Sequence, residues 1–176
     1  MAGSLIKIDE EIVSSAVASV ELGGTNWDSS YDVYQLVISN MEMDTDNAQI
    51  RMKFLAGGVV QSTSNYDEAA KNLNASATFG DSALPNYAAF VLTFAGASTA
   101  TNARFNSIHY LFNMNNASEY SFETREVTYI RQGGSTLEGK QGGGVYTIAE
   151  AHNGVEITAL GGNVTAGTFT LYGLKK

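Results

Sequence analysis

Alternation with a period of two runs through most of this chain, and it leaves no stretch for a helical core. Over residues 31–38, Tyr34, Leu36 and Ile38 fall on one face, with Val33, Gln35 and Val37 on the other. Over residues 49–54, Ile50, Met52 and Phe54 alternate strictly with Gln49, Arg51 and Lys53. That is the pattern of a half-buried strand with one face in water. The acidic stretch 42–47 between them is short enough for a hairpin loop. Further strands are expected over 16–22, 75–79, 88–94, 105–113, 119–130 (bent), 144–149, 155–160 and 168–174. Gly23-Gly24, Gly57-Gly58, Gly133-Gly134, Asn153-Gly154, Gly161-Gly162-Asn163 and Ala166-Gly167 break the runs with residues that accept positive φ. Residues 67–73, Asp-Glu-Ala-Ala-Lys-Asn-Leu, read as one or two helical turns at most, or as a further strand.

Short strands at regular spacing predict an all-β antiparallel sandwich or barrel, here of about 8–10 strands with one short helix at most. No linker composition and no fixed-period repeat divides the chain. Residues 13–176 are therefore expected to form a single domain, and residues 1–12 an N-terminal arm or an edge strand.

Composition narrows the chemistry. The 176 residues include no Cys, which removes disulfide scaffolds, Cys-based zinc sites, iron–sulfur clusters and thiol nucleophiles. No apolar run reaches the roughly 18 residues of a membrane span. The opening Met1-Ala-Gly-Ser-Leu-Ile-Lys7 lacks a signal peptide's basic flank and apolar core. With 10 basic and 18 acidic residues the net charge is −8, which disfavours a nucleic-acid partner.

Few motifs point to a site. Asp44-Thr-Asp46-Asn47 opens like a calcium loop, but Ala48 stands where the next oxygen ligand belongs and the EF-hand pattern fails. Asp44 and Asp46, with backbone carbonyls, remain candidate ligands for a loop-bound divalent cation, against the alternative of a solvated loop. No phosphate-cradling or nucleophile-elbow glycine pattern occurs, and no catalytic or other cofactor-binding residue is assigned. His109, at an alternating position, reads as structural; His152, before Asn153-Gly154, reads as solvated. Trp27 lies in the loop 23–30 and is either a lid on the sandwich end or a contact for a partner or glycan.

Several segments resemble a family. Ser4-Leu-Ile-Lys-Ile-Asp-Glu10, Val17-Ala-Ser-Val-Glu-Leu-Gly23 and Ser29-Ser-Tyr-Asp-Val-Tyr34 are similar to the start of small virion structural proteins of tailed bacteriophages. So is Tyr110-Leu-Phe-Asn-Met-Asn-Asn-Ala-Ser-Glu-Tyr-Ser-Phe122. The most specific parts are Asn153-Gly-Val-Glu-Ile157 and Gly162-Asn-Val-Thr-Ala-Gly-Thr-Phe-Thr-Leu-Tyr-Gly-Leu-Lys175. The resemblance implies a jelly-roll-like β-sandwich on the virion surface, assembled in the host bacterial cytoplasm. It implies a non-enzymatic capsid decoration or cement protein, or alternatively a tail-associated fibre or host-glycan-binding module. Its partners would be the major capsid protein or tail proteins, and the implied oligomer is a trimer. It brings no catalytic residues.

Overall fold

A computed structural model describes residues 4–76, 79–134 and 136–174. The larger sheet has eight antiparallel strands. In spatial order they are β1 (Leu5–Val13), β13 (Val164–Leu174), β3 (Val33–Met43), β9 (Phe105–Phe112), β10 (Ser121–Ile130), β11 (Leu137–Tyr146), β6 (Tyr66–Asn74) and β7 (Gly80–Tyr87). The smaller sheet runs β2 (Ser19–Gly23), β12 (Gly154–Leu160), β4 (Gln49–Ala56) and β5 (Val59–Val60), and β8 (Phe90–Val91) also pairs with β4. The chain passes from sheet to sheet at each step from β1 to β4. After β5 it crosses to the larger sheet for β6 and β7 and returns to the smaller one for β8; with β10 and β11 set aside, β9, β12 and β13 alternate again. The orders β1-β13-β3-β9 and β2-β12-β4-β8 are those of a jelly roll. The pairs β6–β7 and β10–β11 widen the larger sheet beyond β9, while β5 extends the smaller one beside β4.

The expected faces are the observed ones. Tyr34, Leu36 and Ile38 of β3 and Ile50, Met52 and Phe54 of β4 are all buried, pointing at each other across the sandwich. Each such side chain contributes roughly 1.5–3 kcal/mol by leaving water. Residues 5–13 pair with β13 as an edge strand of the larger sheet, which selects that alternative over a free arm.

The described residues form thirteen strands, more than the expected number. The ambiguous segment 67–73 is strand, within β6, because β11 and β7 bond to both its edges. Pairing of that extent overrides the helical preference of Glu, Ala and Lys. The strand expected over 75–79 is displaced: Ala75 and Ser76 lie in a turn, residues 77 and 78 lie outside the described residues, and β7 starts at Gly80. The acidic loop after Met43 is no hairpin, since β3 and β4 lie in different sheets and the loop turns the corner between them. Strand β10 carries no bulge; its register with β11 is unbroken over its whole length. Ala166-Gly167 is a bulge inside β13, with Gly167 at φ 141°, rather than a turn. Among the described residues, helix is confined to one 3-10 turn, Gly24–Asn26.

Strand β11 starts seven residues before the expected Gly144, and glycine is the reason. A Cβ on Gly142 would lie 2.3 Å from the Ala69 carbonyl oxygen, and one on Gly144 would lie 2.4 Å from Phe90 Cε1. The close approach of β6 and of the Phe90 ring requires bare backbone there.

Candidate functional site

The residues singled out in the sequence turn out to hold loops together. Trp27 stacks on Tyr34, with ring centroids 3.9 Å apart and planes inclined by 27°. Its indole N–H donates to Asn115 Oδ1 at 2.8 Å. Asn115 Nδ2 in turn donates to the Tyr31 carbonyl and the Tyr34 hydroxyl. Trp27 is thus the lid on this end of the sandwich, half-buried against the core. Trp27→Ala is expected to lower stability by about 2 kcal/mol, less than a fully buried Trp because one side is wet. An unchanged thermal midpoint would contradict the lid assignment.

Asp44 and Asp46 serve different segments. The Asp44 carboxylate accepts the Asn163 backbone N–H (2.8 Å) and its side-chain amide (2.8 Å), and these bonds hold it below the usual carboxylate range. Asp46 Oδ1 accepts the Thr99 N–H at 3.2 Å. Together they clamp the acidic corner between the 161–163 turn and the 96–99 segment. Among the described residues, no group of three or more His, Asp or Glu side chains gathers to hold a metal ion.

His152 is buried rather than solvated, packed between the Phe54 ring (4.9 Å) and the Tyr146 ring (5.0 Å). Long-range packing across the core, invisible in the local sequence, encloses it. Burial pulls its pKa down to about 4. Its Nδ1 lies 2.9 Å from Ser121 Oγ, and its Nε2 lies 3.5 Å from Glu150 Oε1, too long for a hydrogen bond. Serine, imidazole and carboxylate in sequence match the components of a nucleophile–base pair. Ser121 and His152 are both closed to solvent, however, so no substrate atom reaches the hydroxyl. The Ser121–His152 hydrogen bond ties β10 to the segment entering β12.

The inner face of the widened sheet holds a charged cluster that local motifs do not reveal. Arg125 Nη2 lies 3.0 Å from Glu68 Oε2, and the guanidinium also pairs with Glu123. Its Nη1 donates to the Val91 carbonyl at 2.8 Å. Lys140 Nζ donates to Glu68 Oε1 and to the same Val91 carbonyl, each at 2.5 Å. All four charged side chains are buried, and their charges cancel. Burial alone would raise the Glu123 carboxyl, but Arg125 and the His109 hydrogen bond reverse this and hold it low. Ionised Glu123 can only accept, so His109 Nδ1 donates to it at 3.4 Å, and Ser107 Oγ lies 3.0 Å from Nε2. Burial lowers the His109 pKa, keeping the ring neutral as the sequence reading of a structural histidine requires. This cluster ties β6, β9, β10 and β11 to β8.

The opposite, outer face of the same strands is open. In register across it lie Val37, Ile108, Glu126 and Gln141, then Gln35, Tyr110, Thr124 and Gly143, then Val33, Phe112, Phe122 and Val145. Ile108, Tyr110 and Phe122 are 41–44% exposed, and Glu126 is the one charge in that block. A depression of about 360 Å³ between Ile108, Tyr110 and Gln141 continues past Thr124 into a wider one of about 560 Å³ floored by Gly143 and Val145. A surface of aromatic and aliphatic groups with little charge suits burial against another protein.

No protein-family model, no curated protein and no solved structure matches this chain.

Proposed function

We propose that this chain is a non-enzymatic structural protein of a tailed-bacteriophage particle, seated on the outside of the capsid as a decoration or cement protein. The outer face of the larger sheet is its contact with the shell, and the major capsid protein is its partner. The observation that carries this reading is the block around Ile108, Tyr110 and Phe122, exposed and nearly uncharged on a chain of net charge −8. The segments similar to virion structural proteins supply the particle. The glycan-binding alternative rests on Trp27, whose ring and N–H are engaged by Tyr34 and Asn115.

Capsids bearing the protein are expected to survive higher temperature and osmotic shock than capsids stripped of it. Adding back the wild-type chain restores resistance, while Ile108→Asp/Phe122→Asp, altered only on the exposed face, does not. Equal resistance with and without the protein would sink the cement role.

A further inference from the structure

Strand β1 ends the larger sheet and, among the described residues, is bonded on one side only, to β13. The strand at the other end, β7, carries Pro85 and small or charged outward groups, which deter further pairing. Strand β1 has no Pro and exposes Leu5, Ile6 and Ile12, the last at 65%.

Its outward row is unusual. The register with β13 slips at Ile8, because Lys7 pairs with Tyr172 and Asp9 with Leu171. The slip brings Lys7 and Glu10 onto one face, where Lys7 Nζ meets Glu10 Oε1 at 3.0 Å and Thr170 Oγ1 donates to Glu10 at 3.3 Å. Leu5 and Ile12, two residues further out on either side, extend that row. Read along the strand it is apolar, positive, negative, apolar. Turned end over end against itself, each position meets its complement. Leu5 faces Ile12 of the second copy, and Lys7 faces Glu10. A slip by three in either sense sets Lys7 against Lys7 or Glu10 against Glu10, so the charges select one register. Asp9 does not oppose its counterpart, since its carboxylate is drawn inward to the Gly23 N–H (2.8 Å) and the Asn26 amide (3.0 Å). Its Oδ1 also accepts the Glu10 N–H at 2.9 Å, which leaves the centre of the seam to side-chain pairing.

We propose that two copies of the chain join β1 to β1 about a two-fold axis between Ile8 and Asp9. The two larger sheets then become one. This goes beyond the capsid reading and does not depend on it. It also differs from the threefold assembly that the resemblance implies.

The test is the oligomeric state of the full chain by sedimentation velocity over a concentration series at low salt. The wild type is expected to form dimers. Lys7→Glu and Glu10→Lys are each expected to weaken association at least tenfold, and Lys7→Glu/Glu10→Lys to restore it. Ile12→Asp is expected to leave a monomer. All of these positions are exposed or at the edge, so circular dichroism should report the same fold throughout. A monomeric or trimeric wild type overturns the proposal, as does a double variant no better than the singles. A monomer that still protects capsids overturns the β1 seam alone and leaves the cement role standing.

Discussion

Arg125→Met is expected to cost roughly 3–5 kcal/mol of folding stability, the usual penalty for stranding a buried charge without its partner. The guanidinium faces Glu68, Glu123 and the Val91 carbonyl, and none of these groups reaches water. Its removal leaves two carboxylates against one lysine in a water-free site. Urea denaturation should show a markedly lower midpoint with the m-value unchanged, since a loss of that size is a large share of the roughly 5–15 kcal/mol that keeps a typical domain folded. Arg125→Met/Glu123→Gln should be the milder lesion. It restores charge balance between Lys140 and Glu68, and the amide oxygen it introduces can still accept the His109 N–H. A single variant within 1 kcal/mol of wild type would show that the cluster is not what ties the widened sheet to β8.

Acid is expected to weaken the protein over a defined window. In the unfolded chain His152 takes up a proton near its ordinary value of 6.5, whereas in the fold burial delays this to about 4. Between those values the unfolded state binds more protons, so stability falls as pH falls from 6.5 to about 4 and is fully present above 6.5. The loss from this one ring is roughly 3 kcal/mol. His109 is shifted in the same direction by its own burial and adds to the effect. Glu123, held low by Arg125, contributes a further loss once pH falls below the ordinary carboxylate value. Stability measured by urea titration at pH 7, 6, 5 and 4.5 should decline steadily, and His152→Gln should flatten the slope. A flat profile for the wild type would contradict the burial of both imidazoles.

How much of this is legible in the sequence depends on whether a local pattern carries it. Strands β3 and β4 announce their buried faces by strict alternation, and the positive-φ glycines at Gly57-Gly58, Gly133-Gly134 and Gly161 mark real turns. The start of β11 is hidden because Gly139 and Gly142–Gly144 have no side chain to alternate. What demands them there is the nearness of β6, β10 and Phe90. Segment 67–73 carries helix formers whose preference yields only to pairing with strands far along the chain. The charged cluster does leave a signal, one of parity rather than motif. Val127 and Tyr129 fix the inward parity of β10, and that parity sends Arg125, Glu123 and Ser121 inward while Phe122 points out. Hydrophobicity alone suggests the reverse. The burial of His152 and the inward turn of Trp27 depend on contacts with Phe54, Tyr146, Tyr34 and Asn115, which no local reading supplies.

The most direct test of the proposed role is a density map of whole particles that carry the protein. The capsid reading predicts a jelly-roll sandwich on the outer shell, with Ile108, Tyr110 and Phe122 turned onto the capsid surface. Density for the chain on the tail, or on the shell with that face open to solvent, would contradict it.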